Sequence, residues 1–233
     1  RGQRVLSDVS FAVSPGTKVG LVGRTGSGKT STVSLLCGLY PWQDGHIYID
    51  DEPMHQLNRQ HLRRHIGIVS QETVIFRGTL RENLICAAPH WQTITDEEIW
   101  QAAQRSGLSV VFQRFDQGFA TPIYDGGENL SMGERQLIAF TRMMLKNPEI
   151  LILDEATSNV DEKSEQLIQA AVKDVMQDRT SFIIAHRLST ILECDLILVF
   201  SSGKIVEQGS HLELIRKNGI YRDIIKEQLN LAD

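Results

Sequence analysis

Cysteine is scarce in this sequence, and the few that occur are badly placed for cross-linking. Cys37, Cys86 and Cys194 are odd in number, far apart and without a C-x-x-C spacing, which argues against a closed disulfide framework and fits a reducing, cytosolic setting. Long apolar runs are missing too. No stretch of about 18 apolar residues occurs, and Arg1 leads into a polar segment with no signal-peptide pattern, so any membrane role has to come from another segment or subunit. Excess positive charge is also lacking. A net charge of -5 and a pI near 5.8 supply no basic field, which excludes non-specific nucleic-acid binding. There is no internal repeat, low-complexity tract or Pro- or Ser-rich linker, so the 233 residues read as one domain with subdomains.

What is present is an ordinary globular composition, with 41% hydrophobic and 23% charged residues. Apolar runs predict strands at Lys18–Val22, Ile47–Asp50, Ile66–Val69, Ile150–Leu153, Ser181–Ala185 and Leu196–Phe200, several apolar on both faces as central strands are. Helical periodicity fills the intervals. Thr79–Lys146 holds only helical patterns, among them Asp96–Arg105 and Ser131–Leu145, and reads as a helical insertion. In His211–Leu231 near-helical spacing is interrupted at Asn218-Gly219, as expected of two helices joined by a turn.

Two motifs carry chemistry. Gly23-Arg24-Thr25-Gly26-Ser27-Gly28-Lys29-Thr30 matches G-x-x-x-x-G-K-[ST] and lies between a strand and a helical segment, the context this pattern requires. Its glycines let the backbone turn N–H groups toward phosphate, and the helix N-terminus adds partial positive charge. Lys29 would meet the β- and γ-phosphates and the Thr30 hydroxyl would hold Mg²⁺. The second motif is the apolar run Ile150–Leu153 ending in Asp154-Glu155. Two adjacent carboxylates at a buried strand end are costly unless a cation sits there; Asp154 would reach Mg²⁺ and Glu155 would polarise the attacking water.

A third segment makes the resemblance specific. Leu130-Ser131-Met132-Gly133-Glu134-Arg135-Gln136, with Ser131 23 positions before Asp154 (154 − 131), resembles the signature motif L-S-G-G-Q of the ABC ATPase family, from which Met132 and Glu134 depart. Further landmarks follow the family's order: Gln71 resembles its Q-loop, Ser158-Asn159-Val160-Asp161 its D-loop and Ala185-His186-Arg187 its switch histidine. The resemblance covers essentially the whole chain. It implies an α/β fold: a P-loop NTPase of ABC type with a RecA-like core, an N-terminal antiparallel β subdomain and a helical signature subdomain at about residues 79–146.

The resemblance also assigns roles. Glu155, His186 and Gln71 would be catalytic, and Thr30, Gln71 and Asp154 would hold Mg²⁺. Gly23–Thr30 would cradle the phosphates of ATP. Ser131 and Gly133, with Asp161, would reach nucleotide bound by a second such domain, identical or merely similar. At position 134 the departure sets a carboxylate close to that nucleotide. Ile75-Phe76-Arg77-Gly78-Thr79-Leu80-Arg81-Glu82-Asn83 and Asp125-Gly126-Gly127-Glu128-Asn129 resemble segments of the exporter branch, implying ATP-driven export from the cytoplasmic face of a membrane. An aromatic residue that stacks on adenine would lie before Val5-Leu6, so the expectation is a longer protein with a transmembrane domain upstream of Arg1.

Rival readings are weaker. Repair-type family members carry a long coiled-coil insertion that this chain lacks, and translation-type members carry two such domains in one chain. A purely regulatory ATP-binding module would not need Glu155 and His186. The pair His61 and His65 lacks the Glu of H-E-x-x-H and is flanked by cations that repel Zn²⁺, which argues against a metal site, and Arg63 and Arg64 read as a solvated helix face. Trp91 and Trp100 read as packing of the helical insertion.

Overall fold

The computed structural model describes residues 4–154, 162–185 and 187–229. In chain order the elements up to the middle of the sequence are β1 (Lys18–Val22), α1 (Lys29–Leu36), β2 (Tyr48–Ile49), β3 (Glu52–Pro53), α2 (Arg59–His65), β4 (Ile66–Val69), β5 (Gly78–Thr79), α3 (Leu80–Ile85), α4 (Asp96–Arg105) and α5 (Leu108–Val111). They continue with β6 (Pro122–Ile123), α6 (Met132–Lys146), β7 (Ile150–Asp154), α7 (Glu162–Val175), β8 (Thr180–Ile184), α8 (Leu188–Leu192), β9 (Leu196–Ser201), β10 (Lys204–Gly209), α9 (His211–Arg216) and α10 (Ile220–Gln228). The chain divides into two compact units, one drawn from Arg1–Ile66, Glu149–Glu155 and Arg179–Asp233, the other from Gly67–Pro148 and Ala156–Asp178.

The first unit is built on the strands β10-β9-β1-β8-β7, side by side in that order. β1 runs parallel to β8 on one side and to β9 on the other, β7 is parallel to β8, and β10 returns antiparallel beside β9. Strands with a parallel neighbour on each side must be apolar on both faces. Accordingly Val19, Leu21, Ile152, Phe182, Ile184 and Leu198 are buried in one core with Val33 of α1. The predicted strand at Ile47–Asp50 is shorter, because Asp50 and Asp51 take φ of 50° and 65° and turn the chain into β3. Positive φ at both central positions gives the primed turn that matches strand twist. Among the described residues, that hairpin is the antiparallel pairing found near the N-terminal side.

The second unit centres on α6, whose residues from Gly133 to Leu145 are buried except Arg135. Leu80 and Leu84 of α3, Ile99 and Ala103 of α4, and Leu108 of α5 are nearly or fully buried, and α6 packs on all three helices and on α7. The start of α6 is fixed by a capping box between Ser131 and Glu134, and its end by Asn147 in the left-handed region, followed by Pro148. Two features differ from the all-helical expectation. β5 and β6 form a short antiparallel pair, Gly78 with Ile123 and Thr79 with Pro122, too brief to leave an alternating pattern. The Trp100 ring meets Phe112 edge-on at 5.0 Å, whereas Trp91 is exposed.

Candidate functional site

The phosphate-loop sequence leaves the sheet where β1 ends and re-enters regular structure at α1. A turn this tight requires residues without Cβ. At Gly23, with φ of 152°, a Cβ would stand 2.4 Å from the Phe200 carbonyl oxygen and 2.8 Å from Ser27 Oγ. Gly28, with φ of 112°, is the N-cap of α1 and supplies no capping side chain, and the first turn carries no acidic residue. The opening N–H groups of α1 therefore keep their capacity to bind an anion, with the helix dipole behind them.

Two side chains of the loop fit a phosphate ligand. Lys29 is buried at 5% exposure, and its Nζ donates to the carbonyl oxygens of Gly23 at 2.6 Å and Arg24 at 3.0 Å. The ammonium thus sits inside the loop. Burial pushes it below the usual lysine range, with the charge of Asp154 pulling the other way. Ser27 Oγ is buried without a hydrogen-bond partner, which in a native fold calls for a ligand or an ordered water. Thr30 is exposed at the head of α1. Arg24 is exposed and its NH2 group lies 2.9 Å from Glu227 of α10, a contact no local sequence signal announces.

Asp154 ends β7 on the same carboxyl edge of the sheet. Its register partner Ile184 is also the partner of Leu21, so Asp154 stands level with the residue two positions before Gly23. In open α/β sheets, ligands bind at this edge. The loop Gly23–Thr30 and Asp154 are therefore brought to one edge of one unit. Glu155, Asp161 and His186, with the segment Ser158–Asp161, lie outside the described residues.

Gln71, Ser131 and Gly133 belong to the second unit. Gln71 is exposed two residues after β4. Behind it the segment 74–83 is held by Arg142, which donates from NH1 to the Val74 carbonyl at 2.6 Å. Ser131 is exposed and caps α6, while Gly133 is buried within its first turn. The loop before it is pinned by Asn129, whose side chain accepts from Tyr124 N at 3.0 Å and donates to the Pro122 carbonyl at 3.0 Å. The Glu134 carboxylate is not presented to solvent. Oε2 accepts from Ser131 N at 2.8 Å, and Oε1 lies 2.7 Å from NH1 of Arg114.

Sequence reasoning missed Arg114 and Arg142. Arg114 meets Glu134 across 20 positions (134 − 114), and no periodicity encodes such a contact. Arg142 did leave a signal: Ile138, Ala139, Met143 and Leu145 stand around it on the helix, and a charge in such surroundings must find buried partners.

Comparison with known proteins agrees with these features. The family model described as "ABC transporter" matches residues 6–158. The chain is 44% identical over 220 residues to the fatty acid ABC transporter ATP-binding/permease protein of Mycobacterium bovis, covering 94% of this chain and 34% of that protein. To the ATP-dependent lipid A-core flippase of Saccharophagus degradans it is 42% identical over 225 residues, covering 97% and 38% respectively. Among solved structures, a bacterial Atm1-family ABC exporter with ATP bound matches with a TM-score of 0.89 at 36% identity, over 99% of this chain and 40% of that one. The chain thus spans little more than a third of the length of these relatives. The match runs through the phosphate loop, the signature segment and Asp154 alike, and on it the chain belongs to the ABC transporter family.

Proposed function

We propose that this chain is the ATP-hydrolysing half-site of an exporter, which closes on MgATP together with a second such domain and drives a transmembrane partner at the cytoplasmic face of a membrane. The observation that carries the reading is the phosphate loop. A buried lysine is folded over its own loop carbonyls, beside an orphaned buried hydroxyl and an uncapped helix N-terminus, all on the sheet edge that carries Asp154. That arrangement suits a multiply charged phosphate chain.

In this reading the backbone of Gly23, Arg24, Thr25, Gly26, Ser27 and Gly28 wraps the phosphates, and Lys29 moves its ammonium from the loop carbonyls to the β- and γ-oxygens. Thr30, Asp154 and Gln71 would hold Mg²⁺, which would supply neutralisation of the charge that develops on the phosphates. Glu155 orients and deprotonates water, Gln71 helps to place it, and His186 steadies the γ-phosphate. Ser131 and Gly133 present the α6 N-terminus to nucleotide on the opposite domain, and Asp161 reaches across the same interface. Catalysis here is positioning and charge neutralisation.

The test is Glu155→Gln in the purified protein. Hydrolysis is expected to fall roughly 10²- to 10⁴-fold, with nucleotide binding retained and the ATP-bound dimer accumulating. A wild-type hydrolysis rate would remove Glu155 from the mechanism; no ATP-dependent dimer in either protein would refute the paired site.

A further inference from the structure

Glu134 presents an electrostatic problem that the fold solves with one residue. A carboxylate at the N-terminal turn of α6 favours the helix dipole, yet the same helix end is the surface offered to a triphosphate, which a net negative charge would repel. Glu134 is almost wholly buried; Oε2 is hydrogen-bonded, whereas Oε1 has no aligned hydrogen bond and is met only by the charge of Arg114. Oε2 receives the Ser131 N–H at 2.8 Å, while Oε1 faces Arg114 NH1 at 2.7 Å. In return Ser131 Oγ accepts the Glu134 N–H at 3.2 Å. A hydroxyl that accepts along one lone pair still has its proton to donate, so Ser131 keeps an O–H for an acceptor outside the helix.

Arg114 is well anchored for this task. It closes the turn Phe112–Arg114, and the Phe112 ring is clamped edge-on by Trp100, Phe115 and Phe119 at centroid distances of 5.0, 5.9 and 5.1 Å. Its own side chain is 65% exposed, so burial does not require it there; an arginine reaching from solvent to a 4%-exposed carboxylate does so for that charge. A Gln at 134 would complete the same capping box without needing a cation.

We propose that Arg114 is a positioning residue of the signature segment. By neutralising Glu134 and holding it on Ser131 N, it fixes the direction of the Ser131 hydroxyl and leaves the α6 N-terminus electropositive toward the γ-phosphate of ATP on a second domain. This rests on the paired site proposed above. Arg114 touches no nucleotide; it acts through Glu134 and Ser131.

The experiment measures ATP-driven dimerisation in a Glu155→Gln background, at low and at physiological ionic strength, for the parent protein, Arg114→Ala, Glu134→Gln and Arg114→Ala/Glu134→Gln. Nucleotide affinity at protein concentrations too low for dimers, and the urea midpoint, are followed in parallel. Arg114→Ala is expected to weaken dimerisation roughly tenfold or more at low salt, with the deficit shrinking as salt screens the exposed charge. Single-site nucleotide affinity should not change. The double variant should recover most of the loss, and Glu134→Gln alone should dimerise at least as tightly as the parent.

Parent-like dimerisation of Arg114→Ala overturns the proposal, as does a double variant no better than Arg114→Ala. A loss that follows the urea midpoint and is indifferent to salt would mean that the pair only holds the fold. If Arg114→Ala does not fold, Glu134→Gln decides: tenfold weaker dimerisation shows that the carboxylate is needed in its own right, against the proposal. Absence of dimers in the parent would refute the paired site itself, a distinct result.

Discussion

Arg142 and Asn83 hold each other from two directions: the guanidinium donates from Nε to the Asn83 carbonyl oxygen at 2.6 Å and from NH2 to the Asn83 side-chain oxygen at 3.0 Å. Asn83 then exchanges hydrogen bonds with Phe76, accepting from its N at 2.9 Å and donating to its carbonyl at 2.8 Å. The segment after Gln71 is therefore tied to α6 through a single buried cation. Replacing Arg142 with Leu removes every donor while leaving the Val74 and Asn83 carbonyls behind. The expected loss is about 3 kcal/mol or more, since stranded buried acceptors retain their full desolvation cost. A urea midpoint within experimental error of wild type would contradict this.

Gly23 and Gly26 separate steric from conformational demands in the phosphate loop. Both have positive φ, 152° and 77°, but a Cβ at Gly23 collides with the backbone of Phe200, whereas one at Gly26 meets nothing within 4 Å. Gly26→Ala should cost only the strain of a left-handed residue, about 1–2 kcal/mol, and leave a loop that still closes on phosphate. Gly23→Ala must displace β9 or the loop itself, and should abolish measurable ATP binding. Titration with a fluorescent ATP analogue distinguishes the two; equal affinities would mean that the loop is not built as described.

The contrast shows what a sequence can and cannot reveal. β1, β4 and α4 were readable to the residue because two-sided apolar runs or a periodic pattern define them, and the helical stretch opening at Ser131 was readable too, though its capping box with Glu134 is seen in the fold. β10 was not. It lies at the sheet edge with side chains alternately exposed and half-buried, so it lacks an apolar run, and its only local mark is the Ser202-Gly203 turn with φ of 48° and 77°. Of the site, the phosphate loop, Asp154 and Ser131 are local motifs and could be read. The partners that tune them, Arg114 on Glu134 and Arg142 on Asn83, are contacts set by tertiary packing, which no spacing rule encodes. Glu134 illustrates that gap: the resemblance puts a carboxylate close to nucleotide, and nothing in the spacing showed that it would be bonded to Ser131 N and paired with Arg114.

Tyr221 predicts an alkaline limit. Its side chain is fully buried, its hydroxyl lies 2.6 Å from His211 Nδ1, and burial, aided by the Cys194 thiol once ionised, pushes its pKa from 10.0 up to about 12. The folded protein thus keeps the phenol proton to higher pH than the unfolded chain does. This contribution to stability is complete below pH 10.0 and is lost as pH rises toward about 12. Two units correspond to about 2–3 kcal/mol at most. Tyr221→Phe should flatten that part of the stability curve while costing about 1 kcal/mol at neutral pH for the lost hydrogen bond. An unchanged alkaline slope would show that another group controls the limit.

Lys29 offers the sharpest separation between folding and function. In the described state its ammonium satisfies two loop carbonyls, and bound nucleotide would compete for it with phosphate oxygens of full negative charge. Both sets of bonds have an ionised donor, but phosphate oxygens add direct attraction between opposite full charges, so the exchange favours phosphate. Lys29→Ala removes that gain and, unlike Gly23→Ala, needs no backbone movement. If the lost contacts amount to about 3 kcal/mol, ATP affinity should fall roughly 100-fold, while ADP, lacking the γ-phosphate, should lose less. Because burial lowers the Lys29 pKa from 10.5, only the protonated form meets phosphate, and wild-type affinity should decline at a pH below the ordinary lysine range. Lys29→Arg, always charged, should show no such decline even if its geometry binds less tightly. Isothermal titration of the three proteins across pH reads all of this, and an Ala variant that binds ATP like wild type would remove Lys29 from the phosphate site.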